Sequence, residues 1–290
     1  MPSTLLPDRA ILKVTGDDHV SFLHGLITND VEHLANDEGR FAALLSPQGK
    51  ILCDFFVVRH GDTHFIDAPK AQADVLLKRL TMYKLRAKVD VADVSEQTAA
   101  GAIWGEDAES WSKANGALAY ADPRLPELGS RILISTAATP SLTATPEDYA
   151  AHRIALAVPE GGADYAFGDA FPHEACFDFL HGVDFRKGCF VGQEVVSRMQ
   201  HRGTARTRIL SVTSSADLPD GGADIVAGGF PVGRLGSVNG AHGVALARID
   251  RVRDALAKRL ALTVGAADVD LTVPDWAAYS LEPEPAGDAA

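Results

Sequence analysis

Hydrophobic positions along the first half of the chain change period several times, and each change marks an element. Ala10 to Val14 is a short apolar run that predicts a strand. After Gly16-Asp17-Asp18, apolar Val20, Leu23, Leu26 and Ile27 recur at helical spacing, and Asp17 or Asp18 is expected to cap that helix. Thr28-Asn29-Asp30, residues that favour caps and turns, should end it. Ile51 to Val58 and Thr63 to Ile66 are β-rich runs around His60-Gly61-Asp62 and predict a hairpin. Pro69 opens a predicted helix through Tyr83, with Leu76, Leu77, Leu80 and Tyr83 on one face. Strand patterns return at Ala87 to Val94, Gly101 to Trp104 and Arg131 to Ser135. A polar helix over Glu106 to Asn115 precedes Gly116, which suits a left-handed cap. This order predicts an α+β sandwich rather than a doubly wound parallel sheet.

The second half has a different texture. Ser135 to Pro146, rich in Ser, Thr, Ala and Pro, reads as a linker, and Thr145-Pro146-Glu147 as a helix start. Beyond Gly203, short β runs at Ile209 to Thr213, Val232 to Leu235, Gly243 to Arg248 and Asp270 to Val273 alternate with Gly- and Asp-rich turns. That pattern predicts a small all-β barrel. The tail from Glu282 to Asp288 cannot bury appreciable apolar surface and is expected to be disordered.

At 290 residues the chain suits two or three domains rather than one core. No apolar run reaches the roughly 20 residues of a membrane span, and no membrane partner is expected. Met1 to Asp8 lacks the basic lead and apolar stretch of a secretory signal. Cys53, Cys176 and Cys189 are odd in number and far apart, which suits a reducing compartment, and the expected location is cytoplasmic. The net charge of −12 argues against general nucleic-acid binding. Against that background Arg186, Lys187, Arg198, Arg202, Arg206 and Arg208 form a local basic stripe with only Glu194 among them, suited to a specific anionic ligand or partner.

Several chemistries are missing from the sequence. Gly49-Lys50 is followed by Ile51, so no phosphate-binding loop forms there, and no strand–G-x-G-x-x-G–helix unit occurs. No C-x-x-C pair supports a structural zinc or a self-ligated cluster. His60 and His64 flank a turn. His173, Cys176, Asp178 and His181 are denser, but packing and polar satisfaction account for them, and no metal site is expected.

The informative stretch is R-K-G-C-F-V-G-Q-E-V-V-S-R-M-Q-H-R-G, Arg186 to Gly203. Lys187-Gly188-Cys189 puts a thiol beside cationic side chains, which favours thiolate and makes Cys189 a candidate reactive group. Gly188 and Gly192 permit close approach of backbone or ligand. A helix from Glu194 to His201 would offer free N–H groups which, with Arg186, Lys187 and Arg198, could hold a carboxylate or phosphate. The alternative is a tight glycine turn with a buried, inert cysteine.

Lys187 to Glu194 resembles the K-G-C-[FY]-x-G-Q-E signature of the YgfZ family, folate-binding relatives of the glycine-cleavage aminomethyltransferase that support iron–sulfur enzymes. Two further segments are similar: Gly25-Leu26-Ile27-Thr28-Asn29-Asp30-Val31, and Arg153 through Pro159-Glu160 followed by Phe171-Pro172-His173-Glu174-Ala175, with Ala157 where glycine is usual. The resemblance implies a three-part aminomethyltransferase-like α+β fold, two α/β sandwich domains plus a C-terminal β-barrel, arranged in a ring about a folate cavity. It divides the chain into a discontinuous folate-binding domain of residues 1–48 and 146–204, a ferredoxin-like α+β domain of 49–136, a barrel of 205–280 and a tail of 281–290. It implies tetrahydrofolate or a one-carbon derivative as cofactor, held by Glu174, whose carboxylate would accept two adjacent pterin donors, with Asn29, Asp30, Lys187 and Arg198 contributing. Lys187, Gly188, Cys189, Gly192, Gln193 and Glu194 carry the motif, and Cys189 and Lys187 are the candidate catalytic pair. The implied function is a folate-binding accessory protein for assembly or repair of iron–sulfur enzymes, with those enzymes or their assembly factors as partners. A folate-dependent aminomethyl or methyl transferase is the alternative. It would need an acid near Asp74, counted from Asp67, where those enzymes carry asparagine. A thiol-based cluster-handling protein is the third reading, and it rests on Cys189.

Overall fold

The computed structural model describes residues 2–105, 108–138, 140–203 and 205–282. Contacts divide it into two compact units. The first takes Met1–Tyr149, Phe167–Pro172 and Phe177–Arg198; the second takes Ala150–Ala166, His173–Cys176 and Met199–Ala290.

The first unit contains two antiparallel sheets. Its strands are β1 (Ser3–Leu5), β2 (Arg9–Thr15), β3 (Gly39–Leu45), β4 (Ile51–His60), β5 (Thr63–Pro69), β6 (Asp90–Asp93), β7 (Thr98–Ile103), β8 (Leu118–Ala121) and β9 (Ser130–Ser135). Its helices are α1 (His19–Leu26), α2 (Lys70–Tyr83) and α3 (Ala108–Asn115). The five-stranded sheet runs β3-β4-β5-β2-β6 and the four-stranded sheet β1-β7-β9-β8. The β4–β5 hairpin turns where predicted, with His60 opposite Thr63 and Gly61 at φ +59°. One face of the larger sheet buries Leu12, Phe55 and Ile66 against Leu23 and Ile27 from the α1 side and Leu76 and Leu80 of α2.

One observation departs from the sequence expectations, and two more had no expectation to meet. Neither Asp17 nor Asp18 caps α1 with its side chain. Asp18 instead accepts the Lys88 backbone N–H at 2.8 Å, and Asp17 pairs with the Lys88 ammonium at 3.1 Å. The run 39–45 is a strand, and it pairs with β4 from Gly39↔Val58 to Leu45↔Ile51. The larger sheet therefore draws strands from both sides of residue 48. Finally, ionic groups link the two sheets inside the core. The fully buried Asp67 on β5 accepts Arg9 Nε at 2.6 Å and Arg131 Nη2 at 2.5 Å, Arg131 lying on β9. Burial pushes the Asp67 carboxyl up, but Arg131 and Arg9 outweigh it and hold it below its ordinary range. The Phe56 ring underlies both guanidinium groups, at 4.2 Å for Arg131 and 5.5 Å for Arg9.

Two helices follow: α4 (Pro146–Ala155) and α5 (Gln193–Arg202). The predicted start of α4 is a reciprocal capping box: Asp148 N–H donates to Thr145 Oγ1 at 3.1 Å and Thr145 N–H to Asp148 Oδ2 at 2.9 Å.

The second unit is built on a closed six-stranded barrel. Its strands are β10 (Thr207–Ser214), β11 (Asp224–Ala227), β12 (Phe230–Asn239), β13 (His242–Arg248), β14 (Leu262–Val264) and β15 (Ala267–Thr272), with α6 (Ile249–Ala257) between β13 and β14. The order is β10-β13-β12-β11-β14-β15, and β10 closes the ring on β15. Leu210, Val212, Ile225, Leu235 and Val264 fill it, and α6 packs Val252 and Ala255 onto the same core. Buried Arg153 fastens residues 158–164 to β12, donating to Val158 O at 2.6 Å, Asp164 Oδ2 at 3.0 Å and Ser237 Oγ at 2.9 Å. Ala157 sits in this turn at φ +52°, a conformation that favours glycine. Most of the expected disordered tail, residues 283–290, lies outside the described residues.

Candidate functional site

The turn that ends α1 and the signature loop meet within the first unit, and the contact begins with a lysine. Helix ends leave carbonyls without intrahelical partners. At α1 these are met by the Lys187 ammonium, which donates to His24 O at 2.5 Å, Ile27 O at 2.7 Å and Asn29 O at 3.0 Å. A cation at the negative end of a helix is electrostatically favoured. Burial nonetheless lowers the Lys187 pKa to about 8, with Asp30, Asp184 and Glu32 opposing it. The signature lysine is thus a helix cap supplied from more than 150 positions along the chain, in line with the sequence separations of its bonds.

Other signature residues are engaged in the same way. Gly192 has φ +81°, and a Cβ there would stand 2.6 Å from Ser46 O and 3.1 Å from Gly49 Cα, so only glycine lets this turn rest on the β3–β4 connection. Gln193 folds back to accept the Phe190 N–H on Oε1 at 3.1 Å. Glu194 stands in the first turn of α5 and pairs with Arg198 at 2.6 Å, both exposed. Lys187 thus directs its ammonium to three backbone carbonyls, and Arg198 pairs with Glu194 on the surface. Cys189 is different. It is exposed, whereas Cys53 and Cys176 are buried, so the alternative of a buried, inert thiol is corrected.

Beside this loop lies a cavity of about 940 Å³, lined by Asn29, Asp30, Arg40, His181, Asp184 and Arg186 among others. Asn29 uses both amide hydrogens on backbone, Phe41 O at 2.8 Å and His181 O at 2.6 Å, and it accepts the Asp30 N–H at 2.9 Å. It shapes the wall and has no amide hydrogen left for a ligand. Asp30 accepts the Glu32 N–H at 2.8 Å and faces His33 Nδ1 at 2.6 Å. Burial pushes its carboxyl up, but the His33 and Glu32 hydrogen bonds hold it below the ordinary range. Arg186 is almost fully exposed.

Two predicted residues stand elsewhere. Glu174 is half-buried in the second unit, next to His173, whose Nε2 meets Gln200 Oε1 at 2.9 Å and whose carbonyl accepts Arg208 Nη1 at 2.6 Å. Asp74 is exposed on α2. Among the described residues no group of three or more His, Cys, Asp or Glu is arranged to hold a metal ion. The sequence reading missed Asp184 and Arg40, and it weighed His181 only as a metal ligand; Asp184 adjoins the signature but carried no motif of its own.

Two family models match the chain: the GCVT N-terminal domain over residues 10–114, and the CAF17 C-terminal beta-barrel domain over 206–279. A protein named iron-sulfur cluster assembly factor IBA57 homolog, mitochondrial, from Cryptococcus neoformans is 32% identical over 260 residues, covering 74% of this chain and 68% of that protein. The chain belongs to the IBA57 family. A second IBA57 homolog, from Chaetomium globosum, is 34% identical over 277 residues, and the chain spans 62% of its length. The fold is that of glycine cleavage system aminomethyltransferase T from Bartonella henselae, with a TM-score of 0.72 at 14% identity over 95% of this chain and 86% of that one. Both IBA57 homologs are named mitochondrial, which overturns the cytoplasmic expectation. Free cysteines report a reducing compartment and cannot distinguish one such compartment from another.

Proposed function

We propose that this chain is an accessory protein for assembly or repair of iron–sulfur enzymes, that it works in the mitochondrion, and that it is functionally related to the YgfZ proteins its signature resembles. The carrying observation is the loop of residues 187–194. Its polar residues and Gly192 hold structure, while Cys189 is left exposed on that braced loop. The names of the IBA57 relatives support the same reading. In this role the Cys189 thiol loses its proton to solvent and the thiolate binds iron of a cluster in transit.

Tetrahydrofolate fits the cavity beside the loop. About 940 Å³ lies within the range of small-molecule sites. Asp30 and Asp184 would accept a pterin's amino and ring N–H groups, and the exposed Arg186 would meet the ligand's carboxylates. When bound, the folate supplies or carries a one-carbon group. Asp74 stands on the exposed side of α2, and no observation favours the transferase reading over the accessory one.

Calorimetry with tetrahydrofolate tests the cavity. Micromolar binding that weakens by about 10- to 100-fold in Asp30→Asn supports it, the loss expected for one charged hydrogen-bond partner. Glu174→Ala, measured alongside, tests the pterin role that the resemblance implies. The thiol is tested by the activity of iron–sulfur enzymes in cells depleted of the native protein. Rescue by Cys189→Ser equal to wild type would end the cluster reading and leave folate binding standing.

A further inference from the structure

Helix α2 buries one apolar side and leaves further apolar side chains exposed on the other. Ala73, Leu76 and Leu80 are buried in the sheet core. On the opposite side Ala71, Val75, Lys78 and Met82 follow one another at helical spacing, and all are exposed. Val75 is 44% exposed, Met82 60%, and Leu85, just past the helix, 88%. Leu85 also has φ +43°, a left-handed conformation that is strained for leucine.

Charge on this crest runs against the rest of the molecule. Between positions 70 and 88 stand Lys70, Lys78, Arg79, Lys84, Arg86 and Lys88 against the single acid Asp74, in a chain whose net charge is −12. Lys84 donates to Val89 O at 3.1 Å and Lys88 pairs with Asp17 at 3.1 Å. Among the described residues Lys78, Arg79 and Arg86 have no ion pair.

We propose that this crest is a peripheral docking surface for an anionic lipid bilayer. α2 lies with Ala73, Leu76 and Leu80 in the sheet core and turns Val75 and Met82 outward as a ridge. Apolar tips on a ridge edged by lysine and arginine suit the headgroup boundary, where the tips enter and the cations stay at the phosphates. Phosphate repulsion by the acidic remainder is screened beyond about 10 Å, so the charge near the bilayer decides the outcome. No helix among the described residues is long and apolar enough to cross a membrane, and this contact requires none.

The test is sedimentation of the full chain with vesicles of phosphatidylcholine alone and of phosphatidylcholine mixed with phosphatidylglycerol. Binding is expected on the anionic vesicles only, and it should be lost at about 1 M salt, where screening shortens to about 3 Å. Each cation near the surface is worth about fivefold, so the double variant Lys78→Glu with Arg86→Glu should weaken binding by at least about 25-fold. Met82→Asp with Leu85→Asp should abolish it. All four positions are exposed, and unchanged circular dichroism would show that the variants fold. Equal sedimentation on neutral and anionic vesicles, or no change in either variant, would overturn the proposal. So would failure to bind any vesicle while a photo-crosslinker at position 82 joins a protein in cells, which would reassign the crest to a protein partner.

Discussion

Replacing Lys187 with methionine keeps the aliphatic stem and removes the ammonium, together with its bonds to His24 O, Ile27 O and Asn29 O. Three charged hydrogen bonds at about 1.5–3 kcal/mol each give roughly 5–9 kcal/mol before costs. Burial lowers the ammonium pKa from 10.5 to about 8. At about 1.4 kcal/mol per pH unit, that burial costs about 3 kcal/mol, which methionine escapes. Water takes over part of the freed carbonyls, so the net loss at neutral pH should be about 2–4 kcal/mol. The same group predicts a pH dependence. Between about pH 8 and pH 10.5 the unfolded chain binds more protons than the folded one, so stability rises with pH in that window. The methionine variant lacks this term, and its deficit should widen by up to about 3 kcal/mol from pH 7.5 to pH 10. Denaturant unfolding followed by tryptophan fluorescence, wild type and variant at each pH, measures the difference and cancels the other titrating groups. A deficit that stays flat across the window would refute the burial argument. One below about 0.5 kcal/mol would refute the cap itself.

Three further perturbations read other parts of the first unit, each by denaturant midpoint. Gly192→Ala, with backbone on both sides of the added methyl, should cost more than about 3 kcal/mol, whereas Gly188→Ala, whose methyl would meet only His24 Nε2 at 4.0 Å, should stay within about 0.5 kcal/mol. Asp67→Asn leaves Arg9 and Arg131 buried without their counter-charge and should cost about 3–5 kcal/mol. The native carboxyl is held below 3.8, so this deficit should persist at all pH above that value and narrow only as the pH falls through the lower folded value. His64 is buried against the His19 ring at 4.9 Å, and burial, with His19 and Arg59, lowers its pKa from 6.5 to about 4. The unfolded chain binds the extra proton in between, so wild-type stability should fall from pH 6.5 toward pH 4 by up to about 3 kcal/mol, a slope that His64→Phe should remove.

Strands and helices with their own period were legible in the sequence; those defined by tertiary contact were not. The β4–β5 hairpin and α2 announce themselves by alternation and by helical spacing, and they fold where predicted. β3 is apolar and buried from Phe41 through Leu45, residues of both faces alike, and so shows no period-two signal there. β1 is three residues long and exists because Ser3 to Leu5 pairs with Gly101 to Ile103. α6 follows β13 without an intervening turn, so no breaker marks its start. The Asp67 cluster joins Arg9 and Arg131 from separations of 58 and 64 residues, which no local pattern could report.

At the site, the motif was visible but the division of labour within it was not. From the sequence, Lys187 beside Cys189 reads as a cation activating a thiol, because adjacency in the chain is all that can be seen. In the fold the ammonium turns to three carbonyls at the end of α1, and the loop is fixed from the other side by Gly192 against Ser46 and Gly49. The two anchors bracket Cys189. A lysine needed for charge alone could be replaced by arginine with little loss, whereas one held by three convergent carbonyls at 2.5–3.0 Å could not, because a planar guanidinium cannot aim its donors as a compact ammonium does. Lys187→Arg therefore separates the two roles. Retained stability and retained support of iron–sulfur enzymes would return the lysine to electrostatics. A loss of stability close to that of the methionine variant, with Cys189 alkylated at an altered rate, would show that the lysine acts on the thiol by holding its loop.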